Sequence, residues 1–234
     1  MNIKNWFITH ESKNHFNRLV EEYCTEEWKS LIKHYQTTKL YKKGEYIIKE
    51  GDLVENIGII STGKIKVFNT HSDKIERIIR FATDGQIVGH RGLGVEMTYS
   101  ISAMALIDTE VKQIPIEIFK NVLKANNEFC YQVLLFFADE LKRSENQIKY
   151  FTSLKVNQQV ALALIMNYDA FGFDEEIENK LSFTISRKDI SNLTGCTYES
   201  VVRVLSTFNK NGIIEIDNKD IFILDMKKLH KLLE

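Results

Sequence analysis

The spacing of apolar residues changes period several times along the chain. Between residues 1 and 36 it is helical: Phe16, Leu19, Val20 and Tyr23 share one face, and Trp28, Leu31, Ile32 and Tyr35 share another. Glu26 and Glu27 place acids in the first turn of the second of these helices, where the helix dipole favours them. From Thr37 to Pro115 the apolar runs are short: 46–48, 57–60, 65–68, 75–81, 87–88, 101–106 and 111–114, punctuated by Gly44, Gly51, Gly63, Gly85 and Gly89. Many short strands between regular turns predict a small β-barrel or roll, whose interior can hold a small effector. Ile116 to Leu154 is helical again, with an interruption at Ala125-Asn126-Asn127. In its longer part Leu134, Leu141 and Ile148 are seven residues apart, and so are Phe137, Ser144 and Phe151. A core-facing helix would give much the same stripe. A helix between two domains has little else to pack on, so a partner helix from a second subunit is expected, with these six residues as the dimer interface.

Val156 to Tyr168 reads as a further helix, 169–179 as an acidic loop, and Leu181 to Thr184 as a short strand. Ser186 to Gly212 then carries two helices joined by a tight turn. Ser186 can cap the first, with Asp189 as the reciprocal carboxylate of a capping box. Gly195 supplies the turn, and Thr197 caps the second helix. There Val201, Val204, Leu205 and Phe208 form one apolar stripe, leaving Tyr198, Glu199, Arg203 and Lys210 off it. Two β-rich runs around Asp217 to Asp220 follow as a hairpin, and 226–233 as a last short helix. Helix, turn, helix and hairpin make a winged helix, whose second helix can enter a major groove. An Arg can grip guanine bidentately and a Glu can accept from cytosine. An i, i+4 Glu–Arg pair on a solvated face is the plain alternative.

Charge narrows this picture. The 234 residues carry a formal net charge of −1, so no global field attracts a polyanion. From Lys155 onward ten Lys/Arg face twelve Asp/Glu, so DNA binding must rest on local placement of Arg187, Lys188, Arg203, Lys210 and Lys219 and be salt-sensitive. The three cysteines, Cys24, Cys130 and Cys196, lie far apart with no metal-binding spacing, and His10 and His15 form no recognised pattern with Cys24. No metal site is expected. With no signal-peptide pattern and no apolar run near a membrane span, a cytoplasmic location is expected. No catalytic order of Ser, His and Asp, phosphate-cradling loop or metal-ligand spacing appears, so an enzyme is not expected.

Four strings taken together point to a family: Lys43-Gly44-Glu45 with Glu50-Gly51-Asp52, Gly63-Lys64-Ile65-Lys66-Val67, Gly89-His90-Arg91-Gly92-Leu93 with Tyr99-Ser100, and Gly195 to Arg203. In this order they resemble the Crp/Fnr family of bacterial transcription regulators over nearly the whole chain. The resemblance implies an α+β chain: a β-roll (double-stranded β-helix or jelly roll) with N-terminal helices over 1–126, a dimerisation helix and hinge over 127–154, and a winged helix-turn-helix over 155–234. It implies a homodimer on double-stranded DNA, with Arg187, Lys188, Thr197, Tyr198, Glu199, Ser200, Arg203 and Lys210 at the DNA and with contact to RNA polymerase through the roll. Glu199 and Arg203 match the family's recognition pair and Arg187 its phosphate contact. Tyr198 stands where the cyclic-AMP receptor branch has an Arg. The effector site maps onto Gly89, His90, Arg91, Tyr99 and Ser100. His90 and Tyr99 replace the Glu and Arg of cyclic-nucleotide binders, so cyclic AMP is not expected and any effector is unknown. Only Cys24 stands where the oxygen-sensing branch has its cysteine cluster, so no iron–sulfur cofactor is expected. His71 and His90 would be the axial candidates for a haem, which is likewise not expected. The competing reading is a small-molecule sensor, with cyclic nucleotides among its candidate ligands, whose DNA module has weakened or lost its function.

Overall fold

The computed structural model describes residues 16–70 and 75–234. They divide into two compact units whose boundary falls between Glu145 and Asn146, inside one long helix. The predicted helical character of 1–15, together with His10, His15 and His71, lies outside the described residues.

The first unit opens with α1 (Phe16–Tyr23) and α2 (Glu26–Tyr35), followed by eight strands. These are β1 (Thr37–Tyr41), β2 (Tyr46–Ile48), β3 (Asn56–Thr62), β4 (Lys64–Thr70), β5 (Glu76–Thr83), β6 (Ile87–Val88), β7 (Ser102–Ala105) and β8 (Thr109–Pro115). They form two antiparallel four-stranded sheets, ordered β1-β8-β3-β6 and β2-β7-β4-β5. Side chains facing inward from both sheets, among them Ile60, Ile65, Val67, Val88, Ala103 and Val111, fill the space between them. This is the predicted roll with one strand more. β1 escapes an apolar reading because four of its five residues are exposed, and it is an edge strand paired only with β8. The β3–β4 turn needs Gly63: its φ is +137°, and a Cβ there would lie 2.3 Å from the Thr109 hydroxyl.

The outer face of the first sheet is covered by helices. Pro115 ends β8 and stands at the N-cap of α3 (Ile116–Ala125). Asn126 breaks the helical path, and α4 (Asn127–Ser153) follows. Asn126 is buried and serves both sides of the break: its carbonyl accepts from the Phe129 amide at 3.2 Å, and its amide donates to the Tyr23 carbonyl at 3.3 Å. Phe16 of α1 stands among Phe119, Phe129 and Phe136 with ring centroids 5.7–6.1 Å apart, a geometry of tilted and edge-on contacts. Ile57, Ile59 and Ile114 meet this aromatic cluster from the sheet, and Trp28 packs on its edge.

The second unit holds the end of α4, then α5 (Val156–Phe171), α6 (Arg187–Thr194), α7 (Tyr198–Lys210), β9 (Ile214–Asp217), β10 (Asp220–Ile223) and α8 (Met226–Lys231). α5 is buried along Val160 to Ile165, and it packs against α6, α7 and α8. The strand expected at 181–184 is corrected: only isolated bridges occur there, Phe173 to Leu181 and Lys180 to Phe222. Asn167 of α5 sets this segment instead. Its amide donates to the Phe183 carbonyl at 2.7 Å and its carbonyl accepts from the Ile185 amide at 3.0 Å. No helix among the described residues is long and apolar enough to cross a membrane.

Candidate functional site

Local chemistry builds the helix-turn-helix. Ser186 caps α6 by accepting from the Asp189 amide at 3.0 Å, and its hydroxyl donates to the Asp189 carboxylate at 2.6 Å. The carboxylate therefore takes the hydroxyl hydrogen, not the backbone amide of a reciprocal capping box. Gly195 ends α6 at φ +76°, in the left-handed region a side chain disfavours. Thr197 then caps α7 through the Ser200 amide at 3.2 Å. Two bonds tie the turn to its neighbours: the Ser191 hydroxyl donates to the Cys196 carbonyl, and the Cys196 thiol donates to the Gln159 side-chain carbonyl at 2.9 Å. Gln159 also donates to the Phe151 carbonyl.

Val201, Leu205 and Phe208 of α7 are buried. The opposite face carries Glu199, Arg203 and Lys210, all exposed and spaced to fall on one stripe, with Thr197 and Tyr198 exposed at its N-terminal end and Ser200 half-buried behind the cap. Each exposed side chain reaches outward from a helix fixed on its other side. β9 and β10 form the wing, with Asn218 at φ +51° in its turn. Arg187 of α6 reaches this wing: its guanidinium donates to the Lys219 carbonyl at 2.8 Å and to the Asn218 carbonyl at 3.4 Å. The residue matched to a phosphate contact is here the tether of the wing, and Lys188 beside it is exposed.

The five residues read as one effector pocket part into separate places. The roll has a cavity of about 520 Å³, lined by Lys39, Tyr41, Asp52, Glu55, Val88 and Gln113 among others, and of the five only Tyr99 lines it. Tyr99 is buried, and its hydroxyl donates to the Asn56 carbonyl at 2.8 Å. Burial raises its pKa, so it presents a neutral phenol where cyclic-nucleotide binders place a guanidinium. Ser100 is exposed. His90 and Arg91 lie in a 3₁₀ turn (His90–Gly92), which Gly89 enters, and turn away to α4.

There they meet a buried carboxylate that sequence reasoning missed. Glu140 is 5% exposed. Its oxygens lie 3.2 Å from Arg91, 3.3 Å from Arg143, 3.6 Å from His90 and 4.0 Å from Arg80. Arg91 also donates to the Ser144 hydroxyl at 3.1 Å, and Arg80 to the Ile87 carbonyl at 2.6 Å. Burial opposes ionisation of Glu140, but the guanidinium of Arg80 and the other cations outweigh it and hold the carboxyl well below its ordinary range. Burial, aided by the nearby guanidinium groups, lowers His90 to about 4, so its imidazole is neutral at pH 7. Its ring stands 5.5 Å from Phe136 and 5.6 Å from Phe137. The two rows read along α4 differ in exposure. Leu134, Leu141 and Ile148 are each more than 60% exposed, whereas Phe137 and Ser144 are half-buried against the roll and Phe151 is half-buried. A local signal for the cluster was an acid three residues after the aromatic pair Phe136 and Phe137.

A cluster bound by four thiolates needs four cysteines. The sequence has three: Cys24 is buried in the roll unit, Cys130 is exposed on α4 and Cys196 stands in the helix-turn-helix. Among the described residues no group of three or more His, Cys, Asp or Glu could hold a metal ion. His90 is ringed by guanidinium groups, which disfavour a cationic metal centre.

A β-roll followed by a long helix and a winged helix-turn-helix defines a class of two-module regulators, and comparison with known proteins agrees. Residues 38–126 match the model of the cyclic nucleotide-binding domain, and residues 158–232 that of the Crp-like helix-turn-helix domain. The transcriptional activator protein anr of Pseudomonas aeruginosa is 27% identical over 207 residues, covering 87% of this chain and 83% of that protein. The anaerobic regulatory protein of Haemophilus influenzae is 29% identical over 198 residues, covering 83% and 75%. Among solved structures, FixK2 from Bradyrhizobium japonicum matches with a TM-score of 0.74 at 23% identity, over 84% of this chain and 96% of that one. The chain belongs to the Crp/Fnr family of transcription regulators. It is a DNA-binding regulator by family.

Proposed function

We propose that the protein works as a homodimer in the cytoplasm, reading a two-fold symmetric promoter site with α7 of each subunit and without catalytic activity of its own. The observation that carries this reading is the stripe of Glu199, Arg203 and Lys210 on α7, exposed on a helix whose other face is locked into the domain. Glu199 and Arg203 read a G·C pair in each half-site, while Lys188, Lys210 and the capped turn at Thr197 and Ser200 sit against the backbone. Arg187 acts by holding the wing, and Tyr198 takes the outer position. The exposed row Leu134, Leu141 and Ile148 supports pairing of α4 with its copy, which sets the separation of the two reading helices. The roll is the module for a small effector or for RNA polymerase. A neutral Tyr99 in place of a phosphate-pairing Arg argues against cyclic AMP.

The test is selection of bound sequences from a random DNA pool with purified protein and no added ligand. A two-fold symmetric consensus is expected, with Arg203→Ala losing roughly 1–3 kcal/mol on it and relaxing preference at one base pair. Equal loss on every sequence would make Arg203 a phosphate contact. Recovery of no sequence, with or without cell extract, would favour a sensor that has lost its DNA function.

A further inference from the structure

In the Glu140 cluster one buried carboxylate lies within 4.0 Å of the guanidinium groups of Arg80, Arg91 and Arg143. The heptad arithmetic of α4 says what a second copy would bring to it. With Leu134, Leu141 and Ile148 at positions a, and Phe137, Ser144 and Phe151 at positions d, Glu140 is at g and Glu145 at e. In a parallel pair of helices, position g of one copy faces position e of the next heptad on the other. Glu140 therefore faces residue 145 of the second copy. Two acids in that relation repel unless a cation stands between them.

Arg91 stands there. Its Nη2 donates both to Glu140 at g and to Ser144 at d, so its guanidinium lies over the edge of the seam on the side the partner helix approaches. About a fifth of its side chain remains exposed. Glu145 is exposed and, among the described residues, has neither a hydrogen-bond nor an ion-pair partner. We propose that the partner subunit's Glu145 joins this cluster, pairing across the dimer with Arg91 while Arg91 holds Glu140. By two-fold symmetry the pair forms twice, so each subunit's roll is joined to the other subunit's α4. This inference rests on the parallel dimer proposed above and adds to it a polar contact that fixes helix register, which an apolar seam alone specifies weakly.

The experiment is sedimentation equilibrium of the full-length protein as wild type, Glu145→Gln, Arg91→Gln and the double variant, over a range of concentrations. Glu145 is exposed, so its replacement leaves the subunit fold intact. Two partly exposed pairs lost per dimer should raise the dimer Kd roughly three- to tenfold in low salt, and the difference should close near 1 M salt. Because the two residues act on one contact, the double variant should be weaker than wild type by less than the product of the single effects. A dimeric wild type with an unchanged Kd in Glu145→Gln, or with strictly multiplicative effects, overturns the inference and leaves the dimer standing. A wild type that stays monomeric overturns the dimer reading, and this inference with it. Cys130, four residues before Leu134, gives the register directly: a short bis-maleimide should join two wild-type copies through it and fail with Cys130→Ser. A dimer that Cys130 does not bridge would make the helices antiparallel or shifted, which also overturns the inference.

Discussion

Replacing Glu140 by Gln keeps the shape of the side chain and removes its charge from the middle of three guanidinium groups. The neighbours at 3.2, 3.3 and 4.0 Å then repel one another with no carboxylate between them. Breaking a fully buried ion cluster by deleting one partner costs about 3–5 kcal/mol. Arg91 and Arg143 each keep about a fifth of their side chains in contact with solvent and can swing outward, while Arg80, with 16% of its side chain exposed, is anchored by its bond to the Ile87 carbonyl. The net loss should therefore fall to about 2–4 kcal/mol. Urea unfolding followed by Trp28 fluorescence reads this directly, since Trp28 packs on the core of the same unit; Trp6 should be replaced by Phe in both proteins. With a slope of about 2–3 kcal/mol per molar urea, the midpoint should drop by roughly 1 M at unchanged slope and matched protein concentration. Asp139→Asn, one residue away, removes an exposed pair with Lys142 and should cost under about 0.5 kcal/mol. If Glu140→Gln unfolds no more easily than Asp139→Asn, the carboxylate does not hold these cations together and the account of the cluster fails.

Acid should weaken the same unit through His90. Its pKa falls from the ordinary 6.5 to about 4 on folding, so the unfolded chain binds the proton more readily. The stability tied to a neutral His90 is fully present above pH 6.5 and lost as pH falls from there toward 4, by up to about 3 kcal/mol. His90→Gln should flatten the urea midpoint between pH 7 and 5; an unchanged slope would assign the acid loss to other groups. Below pH 4.5 Glu140 adds loss of the same sign, because its depressed carboxyl must then be protonated. Leu141→Lys, at a site 62% exposed, should shift wild-type dimer to monomer in light scattering with little change in the unfolding of the subunit; an unchanged mass would remove Leu141 from the contact. Gly63→Ala should cost roughly 2 kcal/mol or more, read by thermal melting, since the turn is at positive φ and the new methyl meets the buried Thr109.

What the residues reveal on their own follows from how local the determining physics is. The helix-turn-helix was legible nearly residue by residue, because Ser186, Gly195, Thr197 and the stripe of Val201, Leu205 and Phe208 act within a few positions of each other. The break at Asn126 was legible for the same reason, although its bond to the Tyr23 carbonyl was not. β1 was missed because an edge strand with four exposed residues lacks the alternation that marks a half-buried one. Residues 181–184 failed in the opposite way. A β-rich string beside the wing forms only isolated bridges, since Asn167 takes up the Phe183 carbonyl and the Ile185 amide.

The five effector-site positions separate for a more instructive reason. A family frame places Gly89, His90, Arg91, Tyr99 and Ser100 together, but the frame carries the backbone and not the charges. Once the acidic position became His90, and α4 presented Glu140 to the same turn, the side chains after Gly89 gained a better partner on the helix than in the roll. Arg80, His90 with Arg91, and Glu140 with Arg143 come from three segments, and nothing in their local spacing announces the meeting. The heptad count came closest. It treated α4 as two apolar rows, yet Ser144 in a d position beside an acid at g is a departure from that pattern. A polar seam residue next to an acid asks for a cation from elsewhere, and Arg91 supplies it. On that argument α4 has two jobs on adjoining faces, carrying Leu134, Leu141 and Ile148 outward and gripping the roll through Glu140, so a change at the His90 turn acts directly on the helix proposed to pair with its copy.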